Sequence, residues 1–99
     1  MYKVIVGIRA TSQIQRELFF WANKSEGYAN RIAIEIDELI NYVLVNNPHR
    51  GSNSLKKPGY KLLYPGDGDF KLVYKISEKN KIITVTHFFH SSRKMSNYI

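Results

Sequence analysis

The chain has 99 residues, no cysteine and 43% hydrophobic residues, which is room for a single domain over 1–99 with one modest core and no material for a disulfide or a thiolate metal site. Its 15 Lys and Arg against 8 Asp and Glu give a net charge of +7, an excess that attracts polyanions: nucleic acid, an acidic protein or an anionic membrane surface. No apolar run approaches the roughly 20 residues of a membrane span and no basic-then-apolar leader opens the sequence, so the expectation is a cytoplasmic protein without a membrane partner.

Tyr2–Ile8, YKVIVGI, is rich in β-branched residues with little alternation and reads as a strand covered on both faces. Ser12 followed by Gln15 is a capping-box pattern, so the first helix is expected to start there. Ile14, Leu18, Trp21 and Ala22 then recur at helical spacing, with Trp21 as a core anchor. The segment from Lys24 to Gly27 is a tight stop, Gly27 being suited to a left-handed helix end. A second helix is expected over 28–45, where Ile32, Ile36, Leu39, Ile40 and Val43 form an apolar stripe. Helices joined this closely make an antiparallel hairpin, and Pro48 closes it.

From His49 to Gly59 the text HRGSNSLKKPG is a basic loop. Three β-prone runs follow, YKLLY, FKLVYKIS and IITVTHFFH, separated by the turn signals PGDGD and EKNK, and they predict an antiparallel meander. Alternation sets Phe70, Leu72, Tyr74 and Ile76 against Lys71, Val73, Lys75 and Ser77, and Tyr60, Leu62 and Tyr64 against Lys61 and Leu63. In the last run the threonine-bearing set, from Ile82 to His90, is expected on the open face, which would place His90 beside Lys61 and Lys71. The expected fold is therefore α+β, in the order β-α-α-β-β-β, with the helical hairpin packed on a small antiparallel sheet.

Several chemistries are disfavoured. His49, His87 and His90 have no Cys partners, and the spacing of His87 and His90 would turn their rings to opposite faces of a strand, so no metal site and no cofactor are expected. The Gly-x-Ser-x-Gly pattern of a nucleophile elbow is absent, and no helix follows the turn of Gly66 and Gly68 to make a phosphate loop. What stands out is a cationic sheet face: Lys61, Lys71 and Lys75 on strands, His90 and Arg93 at the end of the last, and Arg50, Lys56 and Lys57 in the preceding loop. Such a set can track a phosphate backbone, with Tyr64, Phe88 and Tyr98 as rings for base stacking. Strand lysines also serve simply to keep a sheet edge soluble.

The segments Trp21–Gly27, Asn47–Gly51, Tyr60–Tyr64, Phe70–Tyr74 and His90–Arg93, in this order and spacing, resemble the RelE/ParE toxin superfamily over nearly the whole chain. The resemblance implies a growth-inhibiting toxin of a type II toxin–antitoxin pair, neutralised by a cognate protein antitoxin. One branch of that superfamily cleaves mRNA in the ribosomal A site and another poisons DNA gyrase, and a shared fold does not choose between them. A catalytically inactive module that binds only an antitoxin or a nucleic acid is a third alternative. For the mRNA interferase branch, the favoured one, cleavage is metal-independent: a ribose 2′-hydroxyl attacks the adjacent phosphate. By position Lys61 matches a family lysine, Lys71 stands where many members carry a phosphate-clamping Arg, Arg93 would brace the phosphate, and His90 or Tyr98 would be the acid. Leu63 replaces a second lysine of some nucleases, and a lysine at 71 lacks the forked geometry of a guanidinium.

Overall fold

A computed structural model, which describes residues 1–92, begins with β1 (Lys3–Val6) and passes directly into α1 (Ile8–Ala22). Gly7 makes the join: its N–H donates to Val85 O at 2.9 Å as the last rung of the sheet, and its C=O accepts from Thr11 N at 2.9 Å as the first turn of the helix. A Cβ at this position would sit 3.2 Å from Val85 O, so glycine lets the chain leave the sheet this tightly. The helix thus starts before Ser12, and the capping box is not its beginning.

After Asn23 and Lys24, Ser25 caps α2 (Glu26–Glu38), its Oγ accepting from Tyr28 N at 3.3 Å. Gly27 is therefore inside the second helix rather than ending the first. The helical path continues through a π-helical turn, Leu39–Val43, closed by Leu44 N–H to Leu39 O, and a last turn over Leu44–Asn46. The extra residue of a π turn advances the apolar stripe, and Leu44 is completely buried while Leu39 and Ile40 are half-buried.

The sheet comprises β1, β2 (Ser52–Asn53), β3 (Tyr60–Leu63), β4 (Phe70–Ser77) and β5 (Ile82–His90), in the spatial order β1-β5-β4-β3-β2. The meander β3-β4-β5 is antiparallel as expected, but β1 runs parallel to β5, so the sheet is mixed rather than antiparallel. β2, inside the stretch read as a loop, adds a short edge strand. Both helices cover one side, where Ala10, Ile32, Ile36 and Leu44 close over Phe70, Leu72, Tyr74, Ile83, Val85 and Phe88. The other side carries a smaller apolar group, Leu62, Val73 and Phe89 with Tyr60.

One irregularity overturns the expected grouping of His90 with Lys71. Tyr74 pairs with Val85 and Val73 with His87, so Thr86 is a bulge residue that skips one place in the alternation of β5. Ile83 and Val85 face the helices before it, and Phe88 and His90 face them after it, His90 opposite Phe70. Phe88, expected as a stacking ring, is fully buried in the core. Lys61 is also on the helix side, because β3 pairs Lys61 with Tyr74 and Leu63 with Leu72; Leu63 packs on the core and takes its whole strand with it.

Candidate functional site

With Phe70, Leu72 and Tyr74 in the core, strict alternation along β4 turns Lys71, Val73 and Lys75 to the side away from the helices. Tyr60 and Leu62 pair with Lys75 and Val73 and share that side. The chain between β2 and β3 is tied back on it: Ser54 N donates to Tyr60 O at 2.8 Å, and Ser54 Oγ accepts from Lys57 N at 3.0 Å. Lys57 and Lys75 bring their ammonium groups to 5.6 and 6.0 Å from the centre of the Tyr60 ring. Lys56, Lys57, Lys71 and Lys75 are thus brought to one side of the sheet.

Between this loop, β3, β4 and the residues after β5 lies a hollow of about 620 Å³. Its lining combines Lys56 and Lys71 with the hydroxyls of Ser52, Ser54, Ser91 and Ser92, the amide of Asn53, and Leu55, Leu62 and Tyr64; among the described residues none that lines it is acidic. Lys71 is half-buried, and its side chain makes no hydrogen bond or ion pair among the described residues. A lysine with hydroxyl and amide donors around it and, among the described residues, no carboxylate in the lining to neutralise it suits a phosphate-bearing ligand.

The other expected site residues are elsewhere. Lys61 is half-buried on the helix side, its Nζ donating to Asn53 Oδ1 at 2.8 Å and reaching Gly51 O at 3.5 Å. Arg50 borders a separate hollow of about 250 Å³ with Glu35, Leu39, Val43 and Leu63. His90 stacks on Trp21 at 6.2 Å between ring centres and meets the Phe70 ring edge-on at 5.4 Å. Its Nδ1 accepts from Ser92 N at 3.2 Å and lies 2.9 Å from Ser92 Oγ, so it touches the Lys71 hollow through Ser92. Arg93 and Tyr98 lie outside the described residues. His87, read as a core residue, is buried but on the side away from the helices, with Nδ1 2.9 Å from Thr86 Oγ1.

Sequence reasoning missed Asn53, Ser91 and Ser92, small polar residues whose only signal is turn propensity. It also missed a contact across the chain, His49 Nε2 to Glu78 Oε1 at 2.9 Å, where Glu78 further accepts a hydrogen bond from Tyr2. That bond from Tyr2, helped by the charge of His49 and Lys81, holds the Glu78 carboxyl below the usual range.

The arrangement defines a class: a small α+β domain whose helical hairpin backs a mixed sheet and whose opposite face is cationic and concave. Solved structures of the same architecture place it further. The toxin–antitoxin complex RelBE2 from Mycobacterium tuberculosis matches at a TM-score of 0.69 with 18% identity, over 90% of this chain and 96% of that one. A chromosomal ParDE system from P. aeruginosa matches at 0.66 with 12% identity, over 91% and 96%. The isolated RelE toxin of E. coli matches at 0.61 with 13% identity, over 99% and 93%. The chain has the RelE/ParE toxin fold. No protein-family model matches the sequence, and no curated protein matches it significantly. Among the described residues no helix is long and apolar enough to cross a membrane.

Proposed function

We propose that this protein is the toxin of a type II toxin–antitoxin module and that it arrests growth by cutting mRNA on the ribosome. The observation that carries the RNA reading is the hollow around Lys71, a half-buried lysine without an acidic neighbour in the lining among the described residues. Lys56 at the same hollow, and the lysine-flanked Tyr60 ring beside it, supply the further charge and stacking surface that an RNA strand uses. The complexes among the structural neighbours support an antitoxin as the protein partner.

Primer extension on a message from cells induced for this chain is the test. Codon-phased 5′ ends that depend on induction are the expected result, and Lys71→Ala should abolish both the cuts and the growth arrest while leaving the fold intact. Filamentation with gyrase-dependent double-strand breaks and an intact message would instead assign the gyrase-directed activity. Unaffected growth would leave a binding module.

A further inference from the structure

Among the described residues, the hollow that holds Lys71 has no imidazole or carboxylate in its lining to take a proton from a ribose hydroxyl. A second hollow, of about 200 Å³, does: it is lined by His49, Asn53, Gly59, Lys61, Ile76 and Glu78, and shares Asn53 with the first. Asn53 is on the edge strand β2, so the residue that the two hollows share stands at the edge of the sheet. We propose that His49, oriented by Glu78, is the general base of RNA cleavage and that Lys61 holds the reacting phosphate. This rests on the reading of the substrate as RNA.

Three features of the second hollow support the assignment. Glu78 fixes the imidazole: in the neutral ring, Nε2–H donated to Oε1 at 2.9 Å leaves Nδ1 with the free lone pair of a base. Glu78 is itself held, since Tyr2 donates to its other oxygen and keeps the carboxyl ionised. Lys61 is fixed through Asn53 Oδ1 at 2.8 Å, so its charge is in place before a phosphate arrives. A base with an orienting carboxylate beside a fixed cation is what attack by a neighbouring hydroxyl on a phosphodiester requires.

In the step, the 2′-hydroxyl proton passes to His49 Nδ1 as the 2′-oxygen bonds to phosphorus. The bond from phosphorus to the 5′-oxygen breaks, that oxygen takes a proton from water, and a 2′,3′-cyclic phosphate is left. The negative charge that grows on the phosphoryl oxygens faces the Lys61 ammonium. His49 then returns its proton to solvent. The Lys71 hollow grips the neighbouring part of the strand.

The test uses the purified full chain with ribosomes programmed with a defined message, followed in single turnover across pH. His49→Ala should cut about 100-fold more slowly than wild type, and the acidic limb of the wild-type pH–rate profile should be missing from the variant. Glu78→Gln should slow cutting by about tenfold through loss of ring orientation, with message affinity unchanged, whereas Lys71→Ala should weaken affinity. A 2′-deoxy residue at the cut position should block the reaction. A His49→Ala chain that cuts at the wild-type rate, or that is slowed but keeps the acidic limb, overturns this assignment and leaves the RNA reading intact. A wild-type chain that leaves the message whole overturns both.

Discussion

Lys61 and Lys71 look alike in the sequence, each following an aromatic residue and preceding leucine, in Tyr60-Lys-Leu and Phe70-Lys-Leu. The fold turns them to opposite sides of one sheet. On the helix side Lys61 is bonded to Asn53 and reaches the turn at Gly51; on the other, Lys71 has no partner among the described residues and borders an open hollow. Equal charge on adjacent strands therefore has unequal consequence: one ammonium is held in a fixed place at the edge of the sheet and the other has no side chain among the described residues to hold it. The helix side is also where the stability resides, since its buried group of large side chains outweighs the Leu62, Val73 and Phe89 group opposite.

The contrast can be broken hardest in the core. Phe88 is fully buried and stacks on Phe70 at 5.1 Å, so Phe88→Ala should cost about 3–5 kcal/mol in urea unfolding. Next comes Tyr74, whose hydroxyl donates to Pro48 O at 2.8 Å and accepts from Gly51 N at 2.9 Å, with burial pushing its pKa up. Tyr74→Phe leaves the buried Gly51 N–H unsatisfied and should cost about 1–3 kcal/mol by the same measurement. The lysine pair sharpens the comparison directly. Lys61→Met should lower stability by roughly 0.5–1.5 kcal/mol through its lost hydrogen bonds, whereas Lys71→Met should stay within about 0.5 kcal/mol of wild type. Equal losses at the two positions would contradict the division between the faces.

The smallest effect is one of pH. Glu78 has a lower pKa in the folded chain than in the unfolded one, because of Tyr2 first and then His49 and Lys81. Its contribution to stability is therefore full above the ordinary carboxylate range and is lost as pH falls through the folded value. Glu78→Gln should flatten the acid side of the stability–pH curve, and an unchanged acid side would show the contact to be inert. Tyr28 moves the other way: burial and its hydrogen bond to Asp69 Oδ2 at 2.6 Å push it up to about 12. Its contribution is full below the ordinary tyrosine range and fades as pH rises towards that value, so Tyr28→Phe should remove this alkaline dependence.

The sequence by itself determined the helical hairpin, the antiparallel meander and the cationic excess, because amphipathic spacing, turn residues and charge are local or additive properties that need no partner to be read. It also determined the two sides of β4, where Phe70, Leu72 and Tyr74 alternate with Lys71 and Lys75 without interruption. Only the tertiary structure decided which side Lys61 and His90 take. Thr86 is one β-branched residue among several and announces no bulge, yet the skipped pairing at that point exchanges the faces of everything after it in β5. The side of β3 was equally undecidable from its own four residues, since Leu62 and Leu63 compete for the core and only pairing with Leu72 selects Leu63. The meeting of His49 with Glu78, and of Asn53 with both hollows, joins positions far apart in the chain, and no periodicity encodes a contact made by packing alone.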